Sequence, residues 1–229
     1  MHPNIEMLSA VAQRLDALCE QAVFVGGATV PLYLTAPNAP SARPTKDVDI
    51  IVEIATRVEY YRFADLLRKR GFREDVDAKI LCRWKLEELI VDVMPTELNV
   101  LGFSNRWYGE AIRYAHWREI ASDIKIQLAT APYFIATKME AFNGRGHDDF
   151  LSSRDMEDII TVVNGRNELI EEAKTAPTSI RAFLAEQFET WLQDRNFMDA
   201  LAGHILPDPA SQARLPLIIQ RIRAIAALK

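Results

Sequence analysis

The sequence predicts an α+β fold: a small mixed β-sheet flanked by helices over residues 1–130, then a helical region over 131–229 that completes a cleft. Three observations carry this. Up to Thr130, short apolar or alternating runs ended by Gly or Pro interleave with segments of helical spacing, and after Pro132 only helical spacing remains. A third is size. With 229 residues, 49% of them apolar and 26% charged, the chain is long enough for one large core or two small ones.

The elements follow in order. Leu8, Val11, Leu15 and Leu18 recur at three- and four-residue steps, which predicts a helix over 5–20. Ala22-Val23-Phe24-Val25, ended by Gly26-Gly27, reads as a buried strand entering a tight turn. Residues 28–34 form a helix leaving that turn, with Pro31 confined to its first turn or a kink. A Pro-, Ala- and Ser-rich loop over 35–44 delivers the chain to the alternating strand 47–53. A helix over 57–70 stops at Gly71. Strands are expected over 79–84 and 89–94, with Pro95 closing the second, and one more pair over 112–120 and 124–128. Helices are then expected over 133–142, 154–163, 167–174, 179–193 and 210–228, with a mobile loop over 143–149.

Composition excludes some functions. Twenty-seven basic against 32 acidic side chains leave a net charge of −5, which argues against coating nucleic acid by bulk charge, although it leaves room for a local basic groove. Two cysteines, Cys19 and Cys82, are too few for a disulfide scaffold; they read as buried free thiols, which fits a cytoplasmic protein. No apolar run approaches the ~18–20 residues of a spanning helix, and no secretory signal is expected at the N-terminus, so no membrane partner is expected.

The chemistry concentrates in acids carried by strands. Residues i and i+2 of a strand share a face, so Asp47 and Asp49 lie together opposite Val48, Ile50 and Val52. Two such carboxylates repel unless a cation lies between them, and hard divalent ions prefer oxygen ligands. The plainer reading is a solvated polar strand face. Asp92 lies in Ile90-Val91-Asp92-Val93-Met94, where a buried carboxylate needs a partner. That partner is either an arginine, with Arg43 or Arg83 as candidates, or a metal shared with Asp47 and Asp49. Three strand-borne acids can hold two cations roughly 3.5–4 Å apart for displacement at phosphorus. Gly26-Gly27 is either a simple turn or a place where the backbone approaches phosphate oxygens.

Phe24-Val25-Gly26-Gly27, then Arg43-Pro44-Thr45-Lys46-Asp47-Val48-Asp49-Ile50, then Val91-Asp92-Val93, resembles the core of the DNA polymerase β-like nucleotidyltransferase superfamily. More narrowly, the chain is similar to the AbiEii/MenA-type nucleotidyltransferase toxins of bacterial toxin–antitoxin pairs. Thr137-Lys138-Met139-Glu140-Ala141 and Arg154-Asp155-Met156-Glu157-Asp158-Ile159 match that family's later lysine and Arg-Asp-x-x-Asp helices. The resemblance runs over 22–163. It implies transfer of NMP from an NTP to an acceptor such as the 3′ end of tRNA, with release of pyrophosphate, and a neighbouring antitoxin protein. It also implies two Mg²⁺ ions, with Mn²⁺ as a substitute, on Asp47, Asp49 and Asp92. Lys138 and Asp158 join those acids as catalytic residues. Gly26, Gly27, Arg43, Thr45, Lys138 and Asp155 are the nucleotide-binding set.

The residues themselves leave alternatives open. Lys138 on an apolar stripe either snorkels to solvent or meets an anion, and Asp155 or Asp158 could be a plain ion-pair partner for it. The fork of Arg43 suits phosphate, or else a nearby acid. His2, His116, His147 and His204 share no ligand spacing, and none is read as catalytic. Trp84, Trp107, Trp117 and Trp191 read as packing residues, and Arg68-Lys69-Arg70 with Arg73 as a solvated helix end or an RNA-backbone contact. A small-molecule acceptor of the aminoglycoside type, or a non-catalytic nucleotide-binding module, would keep the same fold.

Overall fold

A computed structural model describes residues 1–78, 80–145 and 149–228. The chain forms two compact units, Met1–Leu32 with Arg43–Thr130, and Tyr33–Ala42 with Ala131–Lys229.

The first unit is a mixed seven-stranded sheet with helices. Its strands are β1 (Ala22–Val25), β2 (Asp47–Val52), β3 (Arg73–Glu74), β4 (Arg83–Leu86), β5 (Leu89–Pro95), β6 (His116–Ala121) and β7 (Ile124–Leu128). Their order across the sheet is β3-β4-β5-β2-β1-β7-β6. β2 runs parallel to β5 and β1 runs parallel to β7, while the other neighbours are antiparallel. The central strands bury apolar side chains on both faces of the sheet. Val23, Phe24, Val48, Ile50, Ile51, Val91 and Val93 are buried, as continuous Val/Ile runs require of central strands.

Helix α1 (Pro3–Leu15) starts where Pro3 lacks an N–H to waste and where Nδ1 of His2 accepts from the Asn4 amide at 3.1 Å. It buries Ile5, Leu8, Val11 and Leu15 and packs on β2, β6 and β7. It ends five residues earlier than the periodicity implied. Asp16 turns into the left-handed region (φ 51°), and 16–21 tighten into a 3₁₀ helix. The turn after β1 is likewise 3₁₀ over Gly27–Thr29, leading into α2 (Val30–Tyr33). α3 (Arg57–Lys69) is closed by a capping box between Thr56 and Glu59; the backbone N–H groups of Ala55 and Thr56 hold the Glu59 carboxyl below its usual range.

Several boundaries move. The expected strand over 79–84 is realised as β4 at Arg83–Leu86, because its partner β5 fixes the hairpin at Leu86 and Leu89; Lys79 lies outside the described residues. The expected strand over 112–120 begins only at His116, since α5 (Tyr108–Arg113) claims its start, preceded by α4 (Leu98–Leu101). Trp117 lies on the edge strand β6 and is 53% exposed, so it is not a core residue, unlike Trp84, Trp107 and Trp191.

The second unit is helical: α6 (Ala131–Arg145), α7 (Arg154–Gly165), α8 (Leu169–Thr175), α9 (Thr178–Gln193), α10 (Arg195–Ala200), α11 (Pro209–Gln212) and α12 (Leu215–Ala226). The single helix expected over 210–228 is interrupted, and Pro216 opens α12 at a position where its missing N–H costs nothing. Phe142, Phe150, Phe188, Trp191 and Phe197 form an aromatic core with ring centroids 5.0–5.9 Å apart. At the end of α7, the Gly165 carbonyl accepts from the Thr35 and Ala36 amides at 2.9 and 2.8 Å. A Cβ on Gly165 would lie 2.5 Å from Leu34 Cδ2, so the glycine admits the 33–42 segment. Arg221 donates to the Val163 and Asn164 carbonyls, neutralising the negative end of the same helix. Of the expected loop over 143–149, Asn143–Arg145 finish α6, and Gly146, His147 and Asp148 lie outside the described residues. Among the described residues, no helix is long and apolar enough to cross a membrane.

Candidate active site

Four strands place the candidate side chains in one row. In the register of β4, β5, β2 and β1, Arg83 stands opposite Asp92, Asp92 opposite Asp49, and Asp49 opposite Val25. Laterally paired residues project to the same face, and Asp47 joins them two residues before Asp49. The three carboxylates singled out in the sequence therefore share one face of the sheet.

They are not equivalent. Asp92 is buried, and Arg83 grips it with a two-point fork: Nε donates to Oδ1 at 2.8 Å and Nη2 to Oδ2 at 2.7 Å. Nη2 also lies 3.8 Å from Oδ2 of Asp47. Of the two arginines weighed for Asp92, the one in the neighbouring strand is its partner. The bonds to Asp92 push the Arg83 guanidinium further up from an already basic value. Asp47 keeps a 42% exposed side chain, and Asp49 is half-buried. Burial, with Asp92 and Asp49 adding to it, pushes the Cys82 thiol up to about 12, so it stays neutral.

The diglycine turn meets the acids directly. Gly26 adopts φ 74° and ψ −175°, a conformation essentially reserved for glycine. A Cβ there would overlap Oδ2 of Asp49 and lie 2.6 Å from its Cγ. The Gly26 carbonyl accepts from the Thr29 amide (3.1 Å) and hydroxyl (2.7 Å), which locks the turn.

The approach to β2 is held by a residue the sequence reading did not single out. Asn4 is fully buried; its Nδ2 donates to the Arg43 carbonyl and its Oδ1 accepts from the Thr45 amide, both at 3.1 Å. The Thr45 hydroxyl donates onward to the Asp47 carbonyl at 3.2 Å. No sequence signal marks Asn4, because its partners lie about 40 residues away. Arg43 is half-buried beside this clamp.

Lys138, Asp155 and Asp158 come together within the second unit. All three are buried, with Lys138 Nζ 2.9 Å from Asp155 Oδ1 and 2.8 Å from Asp158 Oδ2. Lys138 therefore meets anions of its own unit. His204 Nε2 lies 2.7 Å from the Phe150 carbonyl, and His116 is exposed on β6. In the basic run, Arg68 pairs with Asp65 and Glu74.

Oxygen donors on Asp47 and Asp49 suit Mg²⁺ or Mn²⁺, and the missing Cβ of Gly26 keeps room for the Asp49 carboxylate. Asp92 differs, since both its oxygens accept from Arg83. Among the described residues, no three His, Cys, Asp or Glu side chains converge as a metal-ligating group.

No protein-family model and no curated protein matches the chain. Among solved structures, it is similar to an antigenic nucleotidyltransferase-like protein from Paracoccidioides brasiliensis, with 19% identity and a TM-score of 0.48 over 87% of this chain and 92% of that one.

Proposed function

We propose that this protein is a nucleotidyltransferase that moves NMP from an NTP to an acceptor hydroxyl and releases pyrophosphate. The observation that supports this reading best is the shared face of Asp47, Asp49 and Asp92 beside the Gly26 turn, whose bare Cα packs against the Asp49 carboxylate. Asp47 and Asp49 hold Mg²⁺, or Mn²⁺ in its place. When bound, such an ion neutralises phosphate charge and polarises the reacting phosphorus. The chain's own contribution is positioning. β2 fixes both carboxylates on one rigid strand, Asn4 and Thr45 set the entry to it, and the Gly26-Gly27 turn packs against the Asp49 carboxylate. Arg43, half-buried just before the strand, is a phosphate ligand.

The narrower reading is a toxin of a toxin–antitoxin pair that modifies the 3′ end of tRNA. It rests on the sequence motifs, the Arg-x-Thr-x-Asp-x-Asp strand and the later lysine and aspartate helices. The test incubates the protein with each labelled NTP, Mg²⁺ and total RNA. Label in a tRNA-sized band, absent with Asp49→Asn, supports the reading; wild-type protein that labels nothing, or a fully active Asp49→Asn variant, refutes it.

A further inference from the structure

A cation already stands on the acidic face. The Arg83 guanidinium bonds both oxygens of Asp92 and comes within 3.8 Å of Asp47, so one positive group bridges two of the three carboxylates. The pair is built into the sheet. Arg83 is the cross-strand partner of Asp92 in the β4–β5 ladder, so the backbone hydrogen bonds of the hairpin hold both Cα atoms in place. The Arg83 side chain is only 23% exposed and that of Asp92 9%, so water competes weakly for either charge. A planar fork takes the two facing lone pairs of that carboxylate, so a metal that used them would have to displace Arg83.

A divalent ion on Asp92 would have to take that carboxylate from Arg83 and strand a guanidinium in a part-buried place. We propose that Arg83 takes the part of a second metal ion: the face binds one divalent cation, on Asp47 and Asp49, while Asp92 serves as the anchor of Arg83 and is not a metal ligand. This rests on the reading of Asp47 and Asp49 as cation ligands. Arg83 then supplies a positive charge that neither dissociates nor depends on metal concentration.

Crystals of the wild type and of Arg83→Gln, soaked in MnCl₂ and measured at the manganese absorption edge, count and place the ions directly. The expected result is one Mn²⁺ in the wild type, on Asp47 and Asp49, and two in Arg83→Gln, the second on Asp92. A wild-type second ion on Asp92, with Arg83 swung away, overturns the proposal and leaves the site reading intact. A folded Arg83→Gln that still takes one ion also overturns it. Wild-type protein with no Mn²⁺ at Asp47 and Asp49 overturns the reading of the site itself. If Arg83→Gln does not fold, the wild-type count still decides between one ion and two.

Discussion

Gly26 and Asp49 occupy one another's space: the carboxylate of Asp49 fills the volume where a Cβ of residue 26 would stand. β1 and β2 are antiparallel neighbours with Val25 opposite Asp49, so the turn and the acid approach as closely as two chains can. Gly26→Ala should therefore fail twice. Alanine is strained at φ 74°, ψ −175°, a cost of about 1–3 kcal/mol, and the overlap displaces Asp49. Urea denaturation should show at least that loss, and the proposed nucleotidyl transfer should be abolished; Gly26→Ala with wild-type stability would contradict this packing.

Asn4 acts at a distance from the acids. Asn4→Ala leaves the Thr45 amide and the Arg43 carbonyl without their side-chain partner, at a cost of about 1–3 kcal/mol. Amide hydrogen exchange should accelerate at Thr45 before it does so in α6–α9. Unchanged protection at Thr45 would show that the clamp is not what orders this entry.

In the second unit, Lys138→Met leaves Asp155 and Asp158 buried without their cation, a loss of about 3–5 kcal/mol. The triple variant Lys138→Met, Asp155→Asn, Asp158→Asn should recover part of it. A Lys138→Met protein as stable as wild type in urea would mean that the trio contributes nothing to folding.

The cysteines set an alkaline limit. Burial pushes Cys19 up to about 11 and Cys82 up to about 12, against 9.0 for an ordinary thiol. A folded pKa above the unfolded value means that the stabilisation is complete below about pH 9 and is lost as pH rises through 11 to 12, because the unfolded chain ionises first. Stability measured across pH 8–11 should fall above pH 9, and a Cys19→Ala, Cys82→Ala variant should show a shallower fall. Rapid thiol labelling of the native protein at pH 8 would contradict the burial.

Much of this architecture was legible locally. The apolar run Ala22-Val23-Phe24-Val25 identifies a buried strand, because only burial on both faces tolerates it. The alternation around Asp47 and Asp49 places both acids on one face from strand geometry alone. The boundaries that moved were decided by partners: β4 by its hairpin with β5, the end of α1 by Asp16, and the exposure of Trp117 by its place on an edge strand.

By itself, the sequence determined which residues carry charge on strands, where the glycines allow a tight bend, and that sheet precedes bundle; these follow from periodicity and backbone preference, which act over a few residues. Only the tertiary structure decided that Arg83, not Arg43, answers Asp92, that Asn4 holds the entry to β2, and that Lys138 is satisfied by Asp155 and Asp158. Those pairings join residues 9 to 41 positions apart. Their energies come from desolvation and hydrogen-bond geometry, which exist only once the strands and helices have packed.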